Sequence, residues 1–452
     1  MLFSRKIKGV HPPPNKNTES IKLKLLPIPA EVCIPMSMHS GAPARPIVGV
    51  GDEVKIGQLI GEAAGFVSAP IHASVSGTVK SINDRDLITG QKAASIVIAS
   101  DGKQELYEGL KLPQIKNLQE FLDAVKDSGS AGLGGAGFPT AAKLTLKDYS
   151  KLEYILINGA ECEPYVTSDT RTMVGGADYV RIGVALLKEF LNPKKIFICI
   201  EDNKAEAISK MRETFADVEY VEVKVLPTFY PQGERKVLVY NVTGRLVPEG
   251  ARLHDVGCMV LNCTTVTVFA RYASLGIPLV QKVVTVDGTA VRTPKNVLAP
   301  IGTPIKELFE FCGGFLGMPK KLIAGGPMMG IALPSLDVPV VKTTNAILAF
   351  LEEDVRPVHV TACIKCGRCV RRCPMRLMPV NVEAAYLIKK PEQLGALKVG
   401  MCVECGSCAY VCPAKRPLVQ VMQLSKNMLY AYNAELKALA EKRAVKEAGK
   451  GE

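Results

Sequence analysis

Two stretches of this sequence repeat a pattern of thiols. Cys363, Cys366, Cys369 and Cys373 follow the spacing C-x-x-C-x-x-C-x-x-x-C and precede Pro374. Cys402, Cys405, Cys408 and Cys412 repeat it 39 residues later and precede Pro413. A [4Fe–4S] cubane takes four thiolates, three of which one tight loop can supply, while in two-cluster runs the fourth serves the other cluster. That rule assigns Cys363, Cys366, Cys369 and Cys412 to one cluster, and Cys402, Cys405, Cys408 and Cys373 to the other. Gly367 and Gly406 stand where the backbone must curl around sulfide, and Pro374 and Pro413 prevent helical continuation past the fourth ligand. Zinc is the competing reading. It favours two C-x-x-C pairs around a spacer, which these twin three-plus-one runs do not resemble.

Eight of the 14 cysteines lie in this region. The N-terminus, MLFSRKIKGVHPPPNK, has basic residues but no apolar core, so no signal peptide is expected. Without export, clustered thiols indicate metal and not disulfides. Cys33, Cys162, Cys199, Cys258, Cys263 and Cys312 have no ligand spacing, and most are expected to be buried thiols. Between Cys363 and Arg376 stand Lys365, Arg368, Arg371, Arg372 and Arg376, with no acidic residue. These cations could stabilise an anionic cluster, dock a partner or simply be solvated.

A second constellation is the glycine run Gly132-Leu133-Gly134-Gly135-Ala136-Gly137. It satisfies G-x-G-x-x-G, but a helical pattern precedes it where the dinucleotide fingerprint requires a strand. Its glycines would still let backbone N–H groups approach an anion, with a helix starting at Pro139 behind it and Lys143 one turn in. The plainer reading is an interdomain linker. Asn158, Glu161 and Glu163 then follow an apolar strand, at the strand end where open α/β sheets bind ligands. The plainer reading there is a capped polar turn.

The elements that must position these groups point to an α/β multi-domain protein. Residues 1–115 show short strands and frequent glycine, as in a barrel-sandwich domain of the biotinyl/lipoyl kind. No lysine stands in a carrier setting, so this segment reads as scaffold, and His72 as a structural histidine. Residues 116–275 alternate strands and helices, which implies a parallel sheet of Rossmann-like kind. Residues 276–330 resemble a β-grasp module of the soluble-ligand-binding kind. Residues 331–358 read as a connector, residues 359–420 as an α-helical, ferredoxin-like two-cluster domain, and residues 421–452 as a helical tail. In that tail Leu424, Met428, Leu429, Tyr432, Leu436 and Leu439 read as a docking face.

The 452 residues carry 56 Lys plus Arg against 44 Asp plus Glu, a net charge of +12. That suits an anionic partner. With 6% aromatics and no Trp, a base-stacking nucleic-acid reader is not expected. The longest mostly apolar stretch, Leu322 to Val341, is interrupted by glycine and proline, so no spanning helix is expected.

Taken in order, Gly134 to Thr140 with Lys143, Asn158 to Pro164, Tyr230 to Glu234, and Asn262 to Thr265 resemble the flavin site of the NADH-oxidising flavoprotein subunit of complex I. With Gly9-Val10-His11-Pro12-Pro13, the barrel-sandwich segment and the twin cluster runs, nearly the whole chain resembles the RnfC family, the C subunits of Rnf electron-transport complexes. The resemblance implies non-covalent FMN lined by Gly132, Gly134, Gly135, Gly137, Lys143, Asn158, Tyr230, Glu234, Asn262 and Thr265. Phe138, Glu161 and Glu163 would border the nicotinamide of NAD(H). No acid–base dyad is required. It further implies ferredoxin:NAD+ electron transfer coupled to Na+ or H+ translocation by other Rnf subunits, and peripheral association with the cytoplasmic side of the membrane. Leu133, Ala160 and Arg235 depart from the complex I pattern, which has arginine, aspartate and glutamate there. Two alternatives stay open: a cobalamin reductase of RnfC-like type, and a non-catalytic iron–sulfur wiring subunit.

Overall fold

In a computed structural model the described residues are 9–355 and 358–448, with side chains described through Lys442. The residues read for a signal peptide up to position 8, positions 356–357 of the expected connector and positions 449–452 of the tail lie outside them. The chain forms two compact units, one of Pro13–Thr228 and Leu238–Arg356, the other of Met1–Pro12, Phe229–Val237 and Pro357–Glu452.

The larger unit contains three sheet systems. The first is antiparallel. Glu31–Pro35, Lys92–Ser100, Gly77–Asp86 and Glu53–Val54 form one sheet, and Arg45–Pro46, Leu59–Glu62 and Ile71–His72 form another. Alternation along the strands puts Val32, Ile34, Val79, Ile96 and Ile98 into one core with Ile60 and Ile71, the period-two rule of a half-buried strand.

The second system is a four-stranded parallel sheet ordered Val221–Leu226, Lys195–Glu201, Tyr154–Gly159, Cys258–Asn262. Its strands are covered on both faces, which is why they read as continuous apolar runs. Ile155, Ile157, Ile196 and Ile198 face the helices Leu118–Asp127, Ala177–Leu191 and Cys263–Leu275. Leu156, Phe197, Cys199 and Val260 face Leu238 and Val239 on the other side. The register sets Asn262 beside Asn158 at the carboxyl ends of neighbouring strands.

The third sheet runs Lys24–Leu25, Lys295–Pro300, Gln281–Asp287, Ala346–Phe350, Lys321–Ala324, Ile331–Ala332, with the helix Ile305–Phe311 on its core. It corrects the expected connector. Ala346–Phe350 is wholly buried and pairs with both Gln281–Asp287 and Lys321–Ala324. A five-residue apolar run after a proline-rich stretch carries too little periodicity to declare itself a strand.

The smaller unit is helical in its cysteine region. Arg368–Arg372, Pro379–Leu387, Pro391–Ala396, Ser407–Tyr410 and Leu418–Ala448 pack around Leu377, Val382, Leu394, Val399 and Met422. The expected tail stripe divides. Met428 and Leu429 pack onto this core, whereas Leu424, Leu436 and Leu439 are exposed. No described helix is long and apolar enough to cross a membrane.

Candidate functional site

The 39-residue repeat is also a repeat of backbone. Lys365 and Glu404, Gly367 and Gly406, and Arg376 and Lys415 occupy matching positions, and all six have left-handed φ between +52° and +75°. Four of the six are not glycine, so each of those positions is strained. The shared conformation curls both loops the same way and turns amides onto sulfur: Lys365 N on Cys363 Sγ at 3.4 Å, Glu404 N on Cys402 Sγ at 3.4 Å, and Leu377 N on Cys373 Sγ at 3.3 Å. Amide donors of this kind suit a thiolate.

The fourth cysteine of the first run sits with the first three of the second. Cys373, Cys402, Cys405 and Cys408 line one hollow, walled by Pro374, Met375, Leu377, Val419 and Met422. The charge of Cys412 is felt by Cys369, and both Cys363 and Cys412 act on Arg416. Burial pushes the Cys402 thiol up to about 12, and raises Cys373 and Cys408 as well. Loading such a site must displace protons, so binding strengthens with pH. Among the described residues no group of three or more His, Cys, Asp or Glu closes around a single-ion position. The hollow, the amide donors and the four thiols fit a cluster.

The glycine loop shows a complementary economy. Its carbonyls turn inward: Gly129 O accepts from Lys342 Nζ at 2.7 Å, Ala131 O from Thr265 Oγ1 at 3.2 Å, Leu133 O from Lys282 Nζ at 3.1 Å, and Ala136 O from Ser40 Oγ at 2.5 Å. Gly137 O accepts from Ser40 N. Among the described residues, the amides of Gly134, Gly135, Ala136 and Gly137 have no protein acceptor. A side chain added at Gly135 would meet nothing within 4 Å, so this stretch borders open space. At Gly134 a Cβ would stand 2.4 Å from Asn262 Nδ2, and at Gly137, with φ +65°, 2.9 Å from Thr343. A glycine turn whose amides have no protein acceptor among the described residues, bordering open space at Gly135, fits the phosphate of a bound cofactor. The expected helix behind the loop is only Thr140–Leu144. A helix of five residues carries little dipole, and Lys143 lies in it.

Leu133 has a structural explanation. It is fully buried in the barrel-sandwich core beside Ile34 and Ile301. Burying a leucine is worth roughly 1.5–3 kcal/mol, so an apolar plug pins the loop where complex I carries an arginine. Ala160 likewise packs into the core under the parallel sheet.

Asn262 caps the helix Cys263–Leu275, accepting from Thr264 N at 2.9 Å and Thr265 N at 3.3 Å, and its Nδ2 donates to Asp169 at 2.7 Å. Thr265 Oγ1 accepts from Leu133 N at 3.0 Å. These two expected flavin residues thus position the loop. Glu161 is turned onto the start of the helix Ser168–Gly175, accepting from Asp169 N at 2.8 Å, Thr170 N at 3.2 Å and Thr170 Oγ1 at 3.0 Å. Glu163 Oε2 accepts from Met328 N at 3.0 Å. Asn158 Oδ1 accepts from Ala160 N at 3.1 Å, and Phe138 is 42% exposed at the end of the loop.

Tyr230 and Glu234 belong to the smaller unit. Tyr230 is buried and bridges to Val10, while Glu234 accepts from Lys236 N and Val237 N. Burial raises the Glu234 carboxyl, whose charge is felt by Cys405. Arg235 is exposed. His72 is buried as expected, with burial pulling it down to about 3.

Sequence reasoning missed several supports. Lys16 Nζ donates to the carbonyls of Glu161, Glu163 and Val166, pinning the acidic turn. Lys282 and Lys342 are fully buried, and burial pulls the Lys342 amine down to about 7. Asp169 is half-buried and accepts from Asn262 Nδ2 and Thr264 Oγ1. The available signal was a lone lysine inside the apolar run Val280 to Val284, and Lys342 closing the run Val338 to Val341.

A glycine turn bordering open space and a hollow lined by four cysteines, in one chain, fit an electron-transfer flavoprotein carrying iron–sulfur clusters. Four families match: "RnfC Barrel sandwich hybrid domain" at residues 5–103, "Nuo51 FMN-binding domain" at 125–271, "SLBB domain" at 283–332 and "4Fe-4S dicluster domain" at 358–414. Three similar proteins are C subunits of oxidoreductase complexes. To that of the proton-translocating ferredoxin:NAD(+) oxidoreductase complex of Clostridium ljungdahlii the chain is 44% identical over 377 residues, covering 82% of each chain. To its Na(+)-translocating counterpart from Acetobacterium woodii it is 40% identical over 380 residues, covering 83% of this chain and 85% of that one. To that of the ion-translocating oxidoreductase complex of Rhodobacter capsulatus it is 39% identical over 429 residues, covering 93% and 82%. A NAD+-reducing [NiFe]-hydrogenase structure overlaps 62% of this chain and 54% of its own at 19% identity and TM-score 0.47, a likeness too weak to build on. The chain belongs to the RnfC family, the C subunits of ion-translocating ferredoxin:NAD(+) oxidoreductase complexes. Its cofactors are FMN and [4Fe–4S] clusters.

Proposed function

We propose that this chain is the NAD(H)-reactive subunit of an Rnf complex, passing electrons between NAD(H), FMN and two [4Fe–4S] clusters. It would serve ferredoxin:NAD+ electron transfer coupled to Na+ or H+ movement through other subunits. The observation that carries this reading is the union, in one chain, of a glycine turn bordering open space with a hollow lined by Cys373, Cys402, Cys405 and Cys408. Bound FMN supplies the exchange between hydride chemistry and the single-electron chemistry of the clusters.

In this reading Gly134, Gly135, Ala136 and Gly137 hold the flavin phosphate through their amides, with Lys143 adding charge. Lys282, Lys342, Ser40 and Thr265 hold the loop carbonyls away from it, so the amides are preorganised. Phe138, Asn158, Glu161 and Glu163 border the nicotinamide side, with Glu161 acting through the helix start it caps. Tyr230 and Glu234 complete the flavin set. Cys363, Cys366, Cys369 and Cys412 ligate one cluster, and Cys402, Cys405, Cys408 and Cys373 the other. We further assign a Rossmann-like character to residues 116–275, a β-grasp character to the module from 276, and a ferredoxin-like character to 359–420. Assembly is peripheral, on the cytoplasmic side of the membrane. The test is anaerobic purification with iron, sulfide and FMN, then NADH oxidation with a small acceptor. Flavin retention with turnover is expected. Clusters without flavin or turnover would leave a wiring subunit.

A further inference from the structure

We propose that the face around Cys363 docks an acidic surface of a one-electron redox protein, so that the cluster held by Cys363, Cys366, Cys369 and Cys412 is the terminal one of this chain. The inference rests on the electron-transfer reading above and deepens it by naming the partner's chemistry.

The two runs share spacing and backbone but not surroundings. Cys405 is buried, and the hollow it lines is covered by Val419 and Met422 of the long C-terminal helix. The one acidic residue of that loop, Glu404, is neutralised by Lys426 and bonded to Gln423. Glu234 of the expected flavin set is close enough to act on Cys405. This run is enclosed, charge-compensated and in touch with the 230–234 segment, as an internal relay should be.

The first run is open. Cys363 is exposed, and its neighbour Ile364 is 65% exposed. Lys365, Arg368, Arg371 and Arg372 are exposed around it, with Lys415 exposed on the adjoining loop and Arg416 acting on Cys363 and Cys412. That adjoining loop is tied in by Thr361 N on Ala414 O and Arg416 Nη1 on Thr361 O. Neither 358–376 nor 411–417 contains an acidic residue. The carboxylate that does approach, Glu383, is buried and held by Arg416 at 2.7 Å. An uncompensated cationic rim around an apolar tip is the complement of an acidic redox surface. Such rims act mainly on encounter rate and orientation. Transfer across this face changes the cluster and the partner's centre by one electron each, in opposite senses, with no bond made or broken and no proton moved.

The full chain loaded with FMN and clusters would be compared with Lys365→Glu/Arg368→Glu and, separately, with Lys415→Glu, which lies outside the C-x-x-C-x-x-C loop. The probe is an acidic two-cluster ferredoxin. Two quantities are read: its binding as salt is raised, and the reduction of neutral benzoquinone by NADH. Binding by the parent chain should weaken steeply with salt. Each variant should bind the probe about tenfold or more weakly at low salt, with benzoquinone turnover within about twofold of the parent. Should the double variant lose iron, Lys415→Glu decides alone. Unchanged probe binding in Lys415→Glu overturns the proposal. So does a loss seen only with phosphatidylglycerol vesicles, which would make the face a membrane contact. If the parent chain fails to reduce benzoquinone with NADH, the electron-transfer reading fails, while the binding comparison still judges the docking face.

Discussion

The cysteine runs and the glycine loop are the two candidate cofactor sites of this chain, and they are built differently. In the runs every determinant is local. Three thiols, the left-handed residues Lys365 and Glu404, and the glycines after them lie within about two helical turns of the first cysteine. Only the fourth thiol is brought from the other run. The loop around Gly134, by contrast, is held by residues distant in sequence: Ser40, Asn262, Thr265, Lys282 and Lys342. A site that carries its own geometry can be copied as a unit, as the 39-residue repeat shows. A site held by the whole unit cannot.

The largest effect should come from crossing the runs. Cys373→Ser removes a ligand from the hollow formed by Cys402, Cys405 and Cys408, so iron per chain should fall by about half. The surviving cluster should be that of the serine's own run, as read by the electron paramagnetic signals of the reduced chain. Loss of the own-run cluster instead would undo the exchange of fourth ligands.

The next contrast is between adjacent glycines. Gly135 faces open space, so Gly135→Val should leave unfolding of the flavin-free chain nearly unchanged and weaken FMN by about 100-fold, or ~2.7 kcal/mol. Gly134 faces Asn262, so Gly134→Ala should lower stability by about 1–3 kcal/mol before any flavin is added. Fluorescence titration and thermal unfolding separate the two. Equal behaviour would mean that the loop does not present its outer side to the cofactor.

Glu161→Gln should cost about 1 kcal/mol through the weakened start of the helix Ser168–Gly175, with cluster content untouched. Thermal unfolding of the flavin-free variant checks this, and a KM change for NADH without a stability change would return Glu161 to direct nicotinamide contact.

A pH slope is the most gradual effect. Lys342 titrates near 7 in the folded chain and higher when unfolded, so folding releases a proton between those values. Stability therefore rises with pH above about 7, by at most about 1.4 kcal/mol per unit. Below the folded pKa both states are protonated and the slope ends. Lys342→Met should flatten part of the rise in unfolding midpoint between about pH 7 and 9; Lys16 and Lys282, shifted the same way, keep the remainder. An unflattened rise would show that Lys342 stays charged in place.

This difference also explains what was legible in the sequence. The grouping of Cys373 with Cys402, Cys405 and Cys408 was legible from spacing, because most of these neighbours in sequence are neighbours in space. The parallel sheet was readable from buried apolar strands such as Tyr154–Gly159, and the loop from its glycines. Its supports were not, since nothing local ties Lys282 to Leu133 or Lys342 to Gly129. Asn262 and Thr265 were found through family likeness, yet the structure gives their polar atoms to the helix start and to the loop. The strand Ala346–Phe350 was missed because its partners lie far away in sequence and its five residues are all buried.

The central claim is that one polypeptide holds a flavin and two cubanes. Chemical analysis of the anaerobically assembled chain for FMN, iron and zinc tests it most directly. About one FMN and about eight irons per chain are predicted, with zinc negligible. Zinc in place of iron, about four irons, or iron with no flavin would contradict it.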